Sequence, residues 1–445
     1  GAGSYVADIK RHGMLHMAFR RSDHAHAAIR SIDAGAALSL LGVVAVYTGE
    51  DIAAMANPYQ ATSRMKNYQA TFIPPLAVGK VRYVGEAVVA VVAESRYVAE
   101  DALALVEIDY EPLAVMVDPE EALKPEAPKL HDDLYSNILA EREFARGEVD
   151  DAFEGAAATA GGRFHFTRTT PVTIEARAAV AEYDKGARSL TLHCTTQIPG
   201  IVRDKLSEIF DLPGPRIRVI APDVGGGFGG KTSLYSEEIV ACAASRALGR
   251  PVKWVSDRME DLMTTGHAFD EIVYADIAVA EDGAIVGLKA DVIGDVGAYS
   301  IYPWTATIEP VQVVSFLPGP YRIENYAARV RSVATNKTLT GAYRGVGRPI
   351  SVFVMDRLLD MAARKIGMDP AQIRRRNLVN DDEFPYKAAS GLVWDKSAFQ
   401  ACLREARDGI GYDDLRREQE AARAEGRWVG IGVASYAELT GVGSR

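Results

Sequence analysis

Strand-like and helix-like patterns of apolar residues follow one another along the chain, which predicts a mixed α+β fold. Ala87–Val92 is an unbroken apolar run, as expected for a strand buried on both faces. Ser95 then offers a helix N-cap, and the apolar residues after it recur at helical spacing. Val106–Tyr110 alternates as another strand, which the pair Glu111-Pro112 ends. The first part of the chain is therefore predicted to be a small α/β unit.

The middle of the chain predicts a strand, a helix and a hairpin in that order. Ile217–Pro222 has the composition of a strand and leads into a glycine-rich loop. Ser236–Leu248 has the apolar spacing of a helix, and Gly249 follows as its C′ residue. Glu271–Val279 and Ala284–Ile293 then alternate on either side of an Asp-Gly turn, which predicts an antiparallel hairpin.

The last third of the chain predicts two consecutive helices. Apolar residues from Val354 to Ile366 mark an amphipathic helix that ends at Gly367, and Asp369-Pro370 begins a second helix as N-cap and N1. Residues 430–436 have a strand-like composition. Because the sequence ends soon afterwards and begins without Met, we expect either a fragment or a naturally split subunit.

Composition and charge exclude several classes of protein. The net charge of -10 on 445 residues argues against a nucleic-acid footprint, and the length predicts two to four domains. The apolar runs are too short to cross a bilayer, so no membrane span is expected. The three cysteines, Cys194, Cys242 and Cys402, are far apart, which argues against an iron–sulfur cluster or a zinc site held by this chain alone. They also favour a reducing, cytoplasmic location.

The loop Gly225–Thr232 is the strongest candidate for a binding site. Its closely spaced glycines allow backbone N–H groups to approach a ligand, and the following helix adds the positive end of its dipole. A tight strand-to-helix turn would explain part of this pattern as well. The loop also matches the P-loop pattern GxxxxGK[ST], in which Lys231 would bind phosphate, Thr232 magnesium, and Asp257 would serve as the Walker-B acid. A P-loop NTPase is therefore an alternative. The predicted antiparallel hairpin after the loop disfavours it, because a P-loop domain is built on a parallel sheet.

Ordered short motifs along nearly the whole chain resemble the molybdopterin-binding large subunit of the xanthine dehydrogenase and aerobic carbon monoxide dehydrogenase family. The segments that carry the resemblance are Tyr5–Ile9, Arg21–His26, Val84–Val88, Asp223–Lys231, Asp295–Tyr299, Thr335–Asn336, Gly341–Pro349 and Gly367–Asn377. The resemblance implies a small α/β-hammerhead domain followed by molybdopterin-binding domains. On this basis we expect a hammerhead-like domain at 1–132, a linker at 133–150, a first molybdopterin-binding domain at 151–380 and the incomplete start of a second at 381–445.

The resemblance also implies which residues hold the cofactor, a molybdenum-molybdopterin or its cytosine dinucleotide form. Gln197 matches a glutamine beside the molybdenum oxo group, and Arg344 matches an arginine at the cofactor. The loop residues Gly227, Phe228, Gly229 and Gly230 match the segment that covers the metal and the pterin. No side-chain metal ligand is expected, because the pterin dithiolene holds the metal. A surface role for Gln197 and a structural ion pair for Arg344 stay open as alternatives.

The implied activity is that of an aldehyde oxidase or an N-heterocycle hydroxylase that uses water as its oxygen source. The general-base glutamate of the family lies in a segment that this sequence does not contain, so we expect no hydroxylation by the chain alone. Thr232 and Pro310 stand where purine hydroxylases carry substrate-binding side chains, and Gly345 stands where carbon monoxide dehydrogenases carry a copper-binding cysteine. Both of those substrates are therefore disfavoured.

The resemblance implies partner chains that carry the electrons away. An iron–sulfur subunit and an FAD subunit are expected, together with a further chain that completes the molybdopterin site if the subunit is split. A non-catalytic scaffold of the same fold is a third alternative, because fold resemblance alone does not establish activity.

Overall fold

The computed structural model describes residues 1–439 and contains strands and helices in mixed order. The strands are β1 (Leu15–Arg21), β2 (Ala27–Asp33), β3 (Val43–Tyr47), β4 (Lys80–Val81), β5 (Ala87–Ala93), β6 (Glu107–Pro112), β7 (Ile138–Arg146), β8 (Ala158–Phe166), β9 (Ala178–Asp184), β10 (Ser189–Cys194), β11 (Ile217–Ile220), β12 (Val252–Val255), β13 (Glu271–Val279), β14 (Ile285–Gly297), β15 (Tyr326–Ala334), β16 (Tyr386–Lys387) and β17 (Val393–Trp394). The α-helices are α1 (Gly35–Leu38), α2 (Gly49–Ala53), α3 (Arg96–Leu103), α4 (Pro119–Ala122), α5 (Val149–Glu154), α6 (Pro199–Phe210), α7 (Ser236–Leu248), α8 (Arg258–Thr264), α9 (Pro310–Phe316), α10 (Arg348–Lys365), α11 (Pro370–Asn377), α12 (Phe399–Ile410) and α13 (Tyr412–Ala424).

A seven-stranded sheet joins the first part of the chain to the middle part. Its order is β11-β10-β9-β12-β1-β5-β3, and β1 pairs in parallel with β12. All seven residues of β5 are buried, as the unbroken apolar run predicts. Helix α7 packs on β9 and β12 and buries its small residues, among them Ala241 and Ala244, against the sheet. The N-terminal unit and the middle part therefore share one hydrophobic core.

A five-stranded sheet in the order β7-β15-β14-β13-β8 forms the second layer of the molecule. The predicted hairpin is present as the antiparallel pair β13–β14. Helix α10 lies across β8 and β13 and buries Val354 and Leu358 in the core with Val273, Ile277 and Leu288. The apolar residues of α10 recur at helical spacing because this face of the helix packs into the core.

Capping residues explain where several predicted helices begin and end. The Ser95 side chain accepts a hydrogen bond from the Val98 N–H at the start of α3. Asp369 accepts bonds from the N–H groups of Ala371 and Gln372 at the start of α11. Gly249 ends α7 in the left-handed region, with φ of 67°. The predictions made for these helices from their end signals are thus confirmed.

Two segments differ from the expectations drawn from local pattern. Residues 138–146, within the expected linker, form β7, which pairs with β15 at the edge of the five-stranded sheet. Its outer half is charged and exposed, so it carries no apolar period that would reveal a strand. The strand-like residues 430–436 form no strand. In residues 1–439 no helix is long and apolar enough to cross a membrane.

Candidate functional site

The glycine loop lies at one edge of the seven-stranded sheet, between β11 and α7. Within it Phe228 has φ of 52°, and its side chain is 48% exposed. Left-handed backbone costs free energy for a bulky residue, and such a conformation persists only where surrounding contacts hold it. Gly229 has φ of 107°, which suits glycine far better than any other residue. The loop therefore holds an apolar ring in an exposed and strained position.

Gln197 meets this loop because of the sheet topology. Strands β10 and β11 are parallel neighbours, so the segments that follow them leave the sheet at the same edge. Gln197 Oε1 accepts hydrogen bonds from the N–H groups of Gly229, at 3.1 Å, and Lys231, at 3.3 Å. The Gln197 backbone N–H donates to the Lys231 carbonyl at 2.9 Å. A β-carbon on Gly227 would overlap the Gln197 side chain, so this close approach requires glycine.

The segment before α10 closes the other side of the loop. The Arg344 N–H donates to the Phe228 carbonyl oxygen at 2.9 Å. A β-carbon on Gly229 would overlap the carbonyl oxygen of Ala342, so the two backbones are in direct contact. The Arg344 side chain is exposed and forms no ion pair with residues 1–439. The structure thus brings Gln197, Phe228, Gly229 and Arg344 together.

Gly230 is fixed from below by a buried tyrosine. The Tyr235 hydroxyl donates to the Gly230 carbonyl at 2.6 Å and accepts from the Gly266 N–H at 3.0 Å. Burial raises the pKa of Tyr235 to about 12, so its hydroxyl keeps the proton that it donates. The Arg177 guanidinium lies 3.9 Å from the centre of the Tyr235 ring and is bound to Glu237 at 2.9 Å.

Lys231 and Thr232 are not available to bind phosphate. The Lys231 side chain is 1% exposed, and its Nζ donates to the Glu175 carbonyl at 2.9 Å and to Glu175 Oε2 at 3.0 Å. Thr232 Oγ1 donates to the Gly229 carbonyl at 2.6 Å. Asp257 caps α8 by accepting from the Glu260 N–H at 2.7 Å. The P-loop alternative therefore finds no support in the geometry of the residues that it needs.

Several hydrogen-bond donors of the site have no protein partner within residues 1–439. The N–H groups of Gly227 and Phe228 donate to no backbone or side-chain acceptor in the described part of the chain. The Gln197 Nε2 amide and the Arg344 guanidinium are likewise without protein partners within residues 1–439. Such a set of donors fits an oxygen-rich, anionic group. In residues 1–439 no group of three His, Cys, Asp or Glu side chains is arranged to hold a metal ion.

Three residues that support the site, Glu175, Arg177 and Tyr235, did not stand out in the sequence. Each is an isolated polar or aromatic residue in an apolar or loop segment, and each finds its partner only through the tertiary fold. The local signal that could have indicated one of them is a charged residue within a run of apolar residues. Arg177 has this signal, because it directly precedes the buried strand β9.

Comparison with known families agrees with this geometry. Residues 130–378 match the model of the molybdopterin cofactor-binding domain. Residues 1–114 match the model of the aldehyde oxidase and xanthine dehydrogenase a/b hammerhead domain. The two matches follow one another along the chain in the order that the sequence motifs predicted.

Individual relatives and solved structures are similar over the whole chain. The carbon monoxide dehydrogenase large chain of Afipia carboxidovorans is 38% identical, over 100% of this chain and 57% of its own length. The nicotine 6-hydroxylase large subunit of Paenarthrobacter nicotinovorans is 36% identical, over 99% of this chain and 54% of its own. The crystal structure of quinoline 2-oxidoreductase from Pseudomonas putida 86 is 38% identical with a TM-score of 0.97, over 100% of this chain and 56% of that one. The chain thus spans little more than half the length of these proteins.

Proposed function

The chain belongs to the xanthine dehydrogenase and carbon monoxide dehydrogenase family of molybdopterin-binding proteins, and we propose that it forms the cofactor-holding part of a molybdenum hydroxylase. The complete enzyme would oxidise an aldehyde or an N-heterocycle and take the inserted oxygen from water. The observation that carries the proposal is the junction of Gln197, Phe228 and Arg344. Three segments far apart in sequence converge there on a surface of free hydrogen-bond donors.

The proposed cofactor-binding residues are those whose donors or backbone form this surface. They are Gln197, Gly227, Phe228, Gly229, Gly230 and Arg344. When bound, the molybdenum-molybdopterin supplies the two-electron redox chemistry. The chain contributes orientation: its backbone N–H groups and the Gln197 amide offer fixed donors to oxygen atoms, and the exposed Phe228 ring offers an apolar contact.

The residue that moves the proton is proposed to come from a further polypeptide segment. The chain spans 57% of the length of its carbon monoxide dehydrogenase relative, and the family's general-base glutamate is expected in a segment that this sequence does not contain. Glu175, whose carboxylate contacts the loop, is already bound to Gly225 and Lys231. We therefore propose that a second polypeptide or a further part of the same subunit completes the site.

Among substrates, an N-heterocycle has more support than carbon monoxide. The relatives include a nicotine 6-hydroxylase and a quinoline 2-oxidoreductase, both named for aromatic N-heterocycles. Gly345 occupies the position at which the sequence resemblance places the copper-binding cysteine. It has φ of 90°, and a β-carbon there would lie 2.7 Å from Pro349 Cγ. A cysteine at this position would be strained, so the geometry disfavours a thiolate–copper site.

Partners and cofactor form are proposed from the same relatives. Similar proteins are named as large chains or large subunits, which supports association with smaller subunits. The sequence resemblance implies that these subunits carry iron–sulfur clusters and FAD. The carbon monoxide dehydrogenase likeness supports the cytosine dinucleotide form of the cofactor. The free state of Cys194, Cys242 and Cys402 supports a cytoplasmic location. The proposed domain division is 1–132, 151–380 and 381–445, and the expected linker 133–150 contains β7, which belongs to the five-stranded sheet.

Metal and pterin analysis of the chain, purified with the subunits that copurify with it, tests the proposal. We expect molybdenum and oxidised pterin near one per chain, and we expect Gln197→Ala and Arg344→Ala to reduce both. Arg203→Ala, an exposed position on α6, is the matched control and should leave the content unchanged. A folded, partner-bound complex without molybdenum or pterin would contradict the proposal and favour the scaffold alternative.

A further inference from the structure

The ion pair between Lys231 and Glu175 closes the glycine loop at both ends. Glu175 Oε2 accepts from the Gly225 N–H at 2.6 Å, at the first residue of the loop. The same oxygen accepts from Lys231 Nζ at 3.0 Å, near the last residue of the loop. The Glu175 N–H donates to the Gly225 carbonyl at 3.1 Å. One carboxylate therefore holds together two ends that the intervening glycines would leave free.

The segment that carries Glu175 is itself fixed to the protein interior. Arg258, on α8, donates to the carbonyls of Thr173 at 2.6 Å and Ile174 at 2.8 Å. The same guanidinium pairs with Asp261 at 3.1 Å. Ile174 is 95% exposed and Val172 is 52% exposed, so apolar burial contributes little to holding this segment in place. The hydrogen bonds from Arg258 supply that restraint.

The loop needs such a restraint because its middle is strained and its free donors must point in one direction. Phe228 has φ of 52° within a run of glycines, which have the largest backbone entropy to lose on ordering. Gln197 and Arg344 hold the middle of the loop, but both are proposed to face the cofactor. The Lys231–Glu175 pair holds the ends from the buried side, where the Lys231 side chain is 1% exposed and that of Glu175 is 13% exposed.

We infer that Lys231 and Glu175 are positioning residues, which fix the glycine loop so that the Gly227 and Phe228 N–H groups face the cofactor. They do so without contacting the cofactor themselves. The cofactor part of this inference rests on the proposed function, but the ordering of the loop does not. The lysine that completes the P-loop pattern thus acts inward, as a structural cation bound to a carboxylate.

Hydrogen exchange of the full chain, purified with its copurifying subunits, tests the ordering role directly. Lys231→Met leaves the Glu175 carboxylate without its cation. We expect exchange in peptides covering residues 224–232 to accelerate by at least about tenfold, with a loss of molybdenum and pterin per folded chain. The matched control is Arg374→Met, which breaks the Arg374–Asp356 pair of similar burial (side chains 0% and 11% exposed) away from the loop. It should lower Tm but leave exchange in 224–232 unchanged.

A double variant separates positioning from general stability. Glu175→Leu/Lys231→Met replaces the buried pair by apolar side chains, so its Tm should recover towards that of the wild type. If the pair positions the loop, exchange in 224–232 stays fast and cofactor content stays low in this variant. Wild-type exchange in the double variant, or equally fast loop exchange in Arg374→Met, would overturn the inference. A wild-type complex without molybdenum would instead overturn the proposed function, and the exchange data would still decide the role of the pair.

Discussion

The backbone N–H of Arg344 and the carbonyl oxygen of Phe228 are joined by a hydrogen bond of 2.9 Å. This bond ties the glycine loop after β11 to the segment that leads into α10, the helix that packs on the five-stranded sheet. The Phe228 backbone that accepts this bond is in the left-handed region, with φ of 52°, so contacts such as this one hold a strained conformation in place. The geometry of the site therefore depends on contacts between the two layers and not on the loop alone.

Gly229→Ala should disrupt this junction. A β-carbon at position 229 would overlap the Ala342 carbonyl oxygen, and φ of 107° is unfavourable for alanine. We expect the substitution to separate the two segments, lower Tm by several degrees and reduce molybdenum and pterin content. Differential scanning calorimetry together with metal analysis would measure both effects.

Gly200→Ala is the control for that substitution. Gly200 lies in the first turn of α6 and has no atom within 4 Å of an added β-carbon. Alanine is a better helix former than glycine by about 1 kcal/mol, so Tm should stay equal or rise. Equal changes in Tm and cofactor content for the two substitutions would show that the contact between Gly229 and Ala342 does not stabilise the site.

Tyr235→Phe should loosen Gly230 without disturbing the core. The variant keeps the ring that packs under Arg177 but loses the hydroxyl, so the buried Gly266 N–H and the Gly230 carbonyl lose their partner. We expect a loss of about 1–3 kcal/mol in the free energy of unfolding and faster hydrogen exchange at Gly266, whose N–H loses its acceptor. Tyr97→Phe, at a site that is 78% exposed, should have no measurable effect. An unchanged stability of Tyr235→Phe would mean that water replaces the hydroxyl.

The elements that were predicted correctly are those whose apolar pattern and end residues match the surroundings that the fold gives them. The apolar run of β5, the hairpin β13–β14 and the capped helices α3, α7 and α11 all occur close to their expected bounds. The glycine loop and Gln197 stood out because glycine spacing and sequence motifs are local features. The loop and Gln197 lie next to each other because β10 and β11, which precede them, are parallel neighbours.

Features that depend on distant partners could not be predicted. The edge strand β7 is charged along its outer half, and only its pairing with β15 makes it a strand. The inward direction of Lys231 depends on Glu175, which lies in a separate loop, so the P-loop pattern alone gave no means of telling a structural lysine from a phosphate-binding one. Buried ion pairs leave no periodic signal in a sequence.

The chain should not bind ATP with magnesium. Lys231 would have to leave its bonds to Glu175 to reach a phosphate, and breaking a buried pair in this way costs about 3–5 kcal/mol. Equilibrium dialysis with labelled ATP at millimolar concentration should show no saturable binding by the wild type. Saturable binding that Lys231→Ala abolishes would restore the P-loop hypothesis.

Glu238→Gln should change how stability depends on pH. Glu238 is buried at the start of α7, where its Oε2 accepts from the Tyr235 N–H at 2.7 Å, and burial raises its pKa to about 8. In the unfolded chain the pKa is ordinary for a glutamate, near 4.5. Between these two values the folded protein keeps a proton that the unfolded chain has lost. Its contribution to stability is therefore complete below about pH 4.5 and is lost as pH rises to about 8, by up to about 1.4 kcal/mol per pH unit.

Glutamine keeps the hydrogen-bond acceptor but cannot ionise, so it removes this loss. We expect the Tm of Glu238→Gln relative to the wild type to rise steadily between about pH 5.5 and pH 8, as measured by calorimetry at matched ionic strength. Glu100→Gln, on the exposed side of α3, is the control for the same chemical substitution outside the core. A difference between Glu238→Gln and the wild type that is independent of pH would show that Glu238 is ionised in the folded protein. The charge would then have to be stabilised by Arg177, whose guanidinium acts to lower the pKa of Glu238.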